Sequence, residues 1–152
     1  MKTPLLVKSF LILFTAFSLL ACDNDDDDQA ILSSELPQRA LLFIETHFPD
    51  SEIVSVTLDQ NDPRGYYEVK LDNNFDLDFD QEGNWTEVEG HGQKVPDAII
   101  PDPILTYVVT NYPDAFIEEI SKKIDRYEVD LSTDIDLIFD LEGNLISVDP
   151  LL

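Results

Sequence analysis

Cysteine is nearly absent from this chain: Cys22 is the only one in 152 residues. A lone thiol forms no internal disulfide, so the fold must rest on its core rather than on covalent staples. Histidine is almost as scarce, at His47 and His91, and neither has a cysteine or a second histidine at ligand spacing. That removes the zinc patterns and any Ser-His-Asp or Cys-His arrangement, and it marks no catalytic residue, metal ligand or cofactor. Basic residues number nine against 32 acidic ones, a balance that nucleic acid and anionic membrane surfaces would repel. Long apolar runs are lacking too. The stretch 10–20 is the longest, and it falls short of the roughly 20 residues that a transmembrane helix needs.

What the amino end does contain is an address. Lys2 and Lys8 precede the apolar run, and Leu19-Leu20-Ala21-Cys22 closes it, the layout of a secretory signal over residues 1–21. The closing tetrapeptide resembles the bacterial lipobox, in which the cysteine is lipidated and becomes the new N-terminus. Cys22 is therefore the expected lipidation site, and membrane attachment is expected through that lipid alone. Removal of 1–21 takes away two lysines and no acid, leaving a net charge of −25. The 131 residues that remain suffice for one cooperative unit. Residues 22–35 read as a flexible acidic tether, because Asp23-Asn24-Asp25-Asp26-Asp27-Asp28 repels itself and has no apolar face. Such a run behind a lipidated cysteine also resembles a surface-export signal. The expected location is the outer membrane, facing the periplasm or the cell surface, with the acidic run pointing to the surface.

Beyond the tether the chain repeats itself. Residues 67–90 laid on 127–150 give identity at 12 of 24 positions, among them Tyr67-Glu68-Val69, Phe79-Asp80, Glu82-Gly83-Asn84 and Val88. Ahead of each copy stands a helical stripe of period near 3.6, Ala40, Leu41, Phe43, Ile44, Phe48 and Ile104, Leu105, Tyr107, Val108, Tyr112. Pro37 suits the first helical position and Pro49-Asp50 the stop, with Pro101 and Pro113-Asp114 matching them. This half aligns with a shift of 64 rather than 60, so the first copy carries four extra residues within the turn-rich stretch 59–65. After each helix the period becomes two. First strands are expected at 53–58 and 117–120, then Tyr67, Val69, Leu71 and Phe75, Leu77, Phe79 alternate with charges, as do their counterparts. Half-buried antiparallel strands predict this alternation. Asp80-x-x-Gly83 and Asp140-x-x-Gly143 read as tight turns into a last strand. The expected fold is α+β: two tandem units of one helix and four antiparallel strands, at 36–90 and 91–152, with helices packed on one face of the sheets.

Two chemical features stand out from the scaffold. Asp76, Asp78, Asp80 and Gly83 faintly resemble a calcium loop, but glycine and glutamate fall at the wrong positions and the apolar alternation runs through the segment. They read as strand-face aspartates. The outward face offers Tyr66 and Lys70 in the first copy and Arg126 in the second. With Val88 and Val148 in the core, Trp85 and Leu145 turn outward unless a bulge intervenes. Trp85, Tyr66, Lys70, Arg126 and Leu145 are the candidate partner-binding residues, since aromatics favour interfaces.

The sequence Leu36-Pro37, Ile44, Phe48-Pro49, Ile53, then Tyr67-Glu68-Val69 and Phe79-Asp80-x-x-Gly83-Asn84-Trp85 resembles the PepSY-like family, also described as β-lactamase-inhibitor-like. The resemblance spans 36–152 in two copies, and the second departs from it at Leu145, where the tryptophan is missing. It implies an exported protein of tandem helix-plus-four-strand units, often lipid-anchored. The resulting expectation is a non-enzymatic envelope protein that presents an acidic and aromatic sheet face to a protein or peptide, basic or amphipathic. An inhibitor or modulator of a secreted hydrolase is the first alternative, and a divalent-cation binder the second.

Overall fold

Alternation of apolar and charged residues at period two requires a sheet with one dry face, and the computed structural model, which describes residues 28–150, builds a single one. Nine strands lie in chain order, β1 Asp28–Ile31, β2 Ile53–Asp59, β3 Tyr67–Leu71, β4 Asp76–Phe79, β5 Trp85–Glu89, β6 Ile117–Lys122, β7 Arg126–Leu131, β8 Ile135–Asp140 and β9 Leu145–Pro150, each antiparallel to the next. Helix α1, Gln38–His47, precedes β2, and α2, Asp102–Asn111, precedes β6. Pro37 and Pro101 stand at the N-caps, one position ahead of the helices they start. Cys22, the expected lipidation site, and the expected signal segment 1–21 lie outside the described residues.

Two expectations change. Within the tether anticipated over 22–35, residues 28–31 instead form an edge strand, Ile31 pairing with Val56, and Ser33–Glu35 make a 3₁₀ turn; 22–27 lie outside the described residues. The two repeats also do not carry separate sheets. β5 pairs with β6 through Glu87–Ser121, Val88–Ile120 and Glu89–Glu119, joining them into one.

Buried residues of helices and strands belong to one cluster, in which Phe79, Phe139, Leu77, Leu137, Val69, Val129, Ile104 and Ile120 are essentially inaccessible. The Phe43 ring meets Phe79 edge-on at 5.7 Å, and Tyr107 meets Phe139 the same way at 5.5 Å. The repeat is thus visible in the packing as well as in the sequence. Turns match as well. In both copies an aspartate carboxylate accepts from the backbone N–H and the side-chain amide of the asparagine four residues on, Asp80 from Asn84 and Asp140 from Asn144. Glycine takes the left-handed position at Gly83 (φ +78°) and Gly143 (φ +83°).

Candidate functional site: an acidic sheet face

The face opposite Leu77 and Phe79 carries the odd chemistry of this molecule. Antiparallel register brings directly opposed residues to about 4.5–5.5 Å between Cβ atoms, close enough that like charges cost stability. Here Asp76 stands opposite Glu89, Glu89 opposite Glu119, Glu119 opposite Asp130, Asp130 opposite Asp136, and Asp136 opposite Asp149. Six acidic residues therefore cross six adjacent strands in one unbroken row. A shorter row runs beside it, Glu68 opposite Asp78 and Asp78 opposite Glu87.

The electrostatics follow from this crowding. Burial pushes the Asp78 carboxyl up to about 7, helped by repulsion from Glu87 and Glu68. Glu119 rises to about 7, through burial first and then Glu87, Asp130 and Glu89. Asp130 rises to about 6, through burial and then Asp136 and Glu128. Asp76 goes the other way. Burial alone would raise it, but hydrogen bonds from Lys70 and His91 outweigh that and hold it low. The Oδ1 atom of Asp136 is shut off from solvent and accepts no hydrogen bond.

Cations on this face are few and engaged. Lys70 pairs with Asp76. Arg126 grips Glu128 through Nη2 at 2.7 Å and Nε at 2.8 Å. Lys123 lies 3.6 Å from both Glu87 and Glu128. His91 reaches Asp76 at 3.2 Å and Glu89 at 3.0 Å. Two sets of side chains bring ligand-type atoms within 4.8 Å of one another, Asp76 with Glu89 and His91, and Glu87 with Glu89 and Glu119. The second is all oxygen, the donor type that suits hard cations such as calcium.

The model of the family described as "Putative beta-lactamase-inhibitor-like, PepSY-like" matches residues 25–81 and again 65–147. The chain belongs to this PepSY-like family. Solved structures agree. A "putative calcium-regulated periplasmic protein" of Bacteroides thetaiotaomicron is 42% identical, with TM-score 0.78, over 82% of this chain and 98% of that one. A "putative periplasmic protein" of Bacteroides vulgatus is 40% identical, with TM-score 0.75 over the same shares. A second B. vulgatus protein, described as a "putative periplasmic protein of unknown function", is 25% identical with TM-score 0.75, over 80% of this chain and 98% of that one. No curated protein matches the chain. These periplasmic neighbours support export of the present PepSY-like chain.

The candidate residues read from sequence do not form one patch. Lys70 and Arg126 lie on the acidic face, both already paired to its carboxylates. Trp85 is on the other side. A bulge between β4 and β5 sets Asp78 opposite Glu87 but Phe79 opposite Trp85, leaving Thr86 as the extra residue. That one residue turns the indole to the apolar face, between Phe43 (6.3 Å) and Tyr127 (6.5 Å). Tyr66 stacks edge-on against Tyr67 at 4.9 Å. Leu145 follows Trp85 through the matching bulge, opposite Phe139, and Val148, expected in the core, is 40% exposed. It sits on β9, whose far edge is paired with no strand among the described residues. Sequence reasoning missed Glu89, Glu119, Asp130 and Asp136 as a set. The signal was present in the alternation of each strand but needed cross-strand register to become a row.

Proposed function

We infer that this PepSY-like chain is a non-enzymatic binding protein of the cell envelope, lipid-anchored through Cys22 at the outer membrane. Both helices lie over the apolar face, and the acidic face is left to meet a positively charged protein or peptide. One observation carries the reading, the row from Asp76 to Asp149. A sheet face meant only for solvent would intersperse lysines, because opposed carboxylates cost stability. A cationic partner would relieve that repulsion on binding and gain affinity from it. The aromatic half of the expected patch does not contribute, since Trp85 faces elsewhere.

The test compares two triple variants in capture from envelope extracts, with the captured species identified and then rebound in purified form. Glu89→Gln/Glu119→Gln/Asp130→Asn removes charge from the row. Asp50→Asn/Asp102→Asn/Asp114→Asn removes the same charge from exposed positions beside the helices. Loss in the first and retention in the second supports the face. Equal loss would mean net charge alone, and equal retention would discard the site.

A second reading, a calcium-responsive protein, is favoured by the Glu87–Glu89–Glu119 set and by the description of the 42% identical neighbour. Here the ligand would be the ion itself. Ligand binding raises the melting temperature by mass action, so calcium against chelator separates the readings. A rise of several degrees that Glu89→Gln/Glu119→Gln abolishes assigns the ion, and identical melting dismisses it. The inhibitor role suggested by the family's description would show itself as slowed turnover of a secreted hydrolase.

A further inference from the structure

Where α1, the β2–β3 loop, the β4–β5 turn and the β6–β7 turn converge lies a groove of about 770 Å³. Its walls include Arg39, Phe43, Arg64, Trp85, Lys122 and Lys123. Downstream of the signal segment the chain has seven basic residues against 32 acidic ones, and four of the seven line this one place. Ion pairs among the described residues occupy Lys70, Lys94, Lys123 and Arg126 and leave out Arg39, Arg64 and Lys122. Two acids, Asp80 and Glu82, also border the groove. The Asp80 carboxylate is consumed by its turn, accepting from the backbone of Glu82 and twice from Asn84.

The groove is assembled by features that only one repeat possesses. In the second copy Arg39 becomes Pro103, Trp85 becomes Leu145 and Thr86 becomes Ile146. Arg64 belongs to the segment that carries the four extra residues of the first copy. Its carbonyl accepts a 2.6 Å hydrogen bond from Thr86 Oγ1, which ties the loop to the bulged strand. The Asp62 carboxylate accepts from the Arg64 backbone N–H at 2.8 Å and shapes the same loop. Lys122 and Lys123 reach the groove because β6 lies next to β5, and among the described residues no strand stands in that relation to β9. The second copy keeps Asp140, Gly143 and Asn144, the turn itself. What the two copies share builds the fold, and what they do not share builds a cationic, aromatic-walled groove in an acidic protein.

We propose that this groove binds a small organic anion, a carboxylate or phosphate ester with an apolar portion, using Arg39, Arg64 and Lys122 for the charge and Trp85 with Phe43 for the apolar part. Guanidinium groups match both oxyanions through paired N–H donors. The groove volume lies within the range of small-molecule sites. Arg39 is held toward the groove floor by its hydrogen bond to Asn84 Oδ1. The groove adjoins the acidic face at Lys123, which lies 3.6 Å from Glu87 and Glu128, but it uses none of the carboxylates of the row, and its test is independent of the cationic partner.

Trp85 is the only tryptophan in the chain, so its fluorescence reports this groove directly. The mature protein is titrated at low salt with phenylacetate, phenyl phosphate, inorganic phosphate and phenylacetamide. A saturable change is expected for phenylacetate or phenyl phosphate, and the tighter of the two identifies the oxyanion. Phenylacetamide and inorganic phosphate each lack one half of the ligand and should bind at least tenfold more weakly, about 1.4 kcal/mol. Arg64→Ser/Lys122→Ser alters two exposed side chains and should weaken the best probe at least tenfold with melting unchanged. No saturation up to about 10 mM, an equal response to phenylacetamide, an equal response to inorganic phosphate, or indifference to the double variant would each overturn the proposal.

Discussion

Replacing Asp78 by asparagine should make the protein more stable at pH 8 and leave it nearly unchanged near pH 4. The side chain sits on β4 between Glu68 and Glu87 in the short acidic row, and burial with their repulsion raises its carboxyl from 3.8 to about 7. A group whose folded pKa lies above its unfolded value holds its proton in the folded state first. Its contribution is fully favourable below the ordinary carboxylate range and is lost as pH rises through about 7. A shift of about three units at 1.36 kcal/mol each sets a ceiling near 4 kcal/mol. Part of it is mutual repulsion that salt screens, so a net gain of about 2 kcal/mol is expected in the variant at pH 8. For a chain of this length that is roughly 6–10 °C in melting temperature. Glu119 and Asp130, raised for the same reasons, add to the trend in the parent protein, which should melt lower at pH 8 than at pH 5. Melting followed by circular dichroism at several pH values, for both proteins at low ionic strength, decides the matter. A parent protein that melts higher at pH 8, with Asp78→Asn indistinguishable from it, would refute the electrostatic account of the acidic face.

Backbone positions offer two further checks. Gly83→Ala places a Cβ 2.7 Å from Pro37 Cβ at a φ of +78°, and should cost about 2–4 kcal/mol in denaturant unfolding. Thr86→Val removes the hydroxyl that holds the Arg64 carbonyl. It should cost about 1 kcal/mol and speed amide exchange in 60–66 while leaving β7 and β8 protected.

Much of the architecture was legible because it is written twice. The helical stripes, the strand alternation and the Asp-x-x-Gly turns each recur, and a pattern that recurs with its period intact is hard to misread. What escaped was everything that depends on register or on distant pairing. Trp85 turns outward only if the alternation runs on without a bulge, and one bulged residue, Thr86, inverts it; no local signal marks that residue. Four residues from Asp28 to Ile31 are too few to show a period, and their acidic neighbours resemble a solvated tether. The union of two sheets into one rests on β5 meeting β6 across the helix-bearing connection from 90 to 116, a contact that neither strand announces. The carboxylate row is a product of all these registers together, so it became visible only when the strands were side by side.

Because every strand has only its immediate predecessor and successor for neighbours, the sheet can grow in the order in which the chain is delivered. Six of the eight joins are hairpins that close a short loop onto an edge that already exists, and the other two, 32–52 and 90–116, each carry a helix; short closures are entropically cheap and fast. An exported polypeptide threads into its compartment amino end first. This meander needs no late-arriving segment to complete an early one, apart from the successor that covers each strand's open edge. Assembly by addition at a moving front would keep unpaired strand edges, the surfaces from which aggregates start, exposed only briefly.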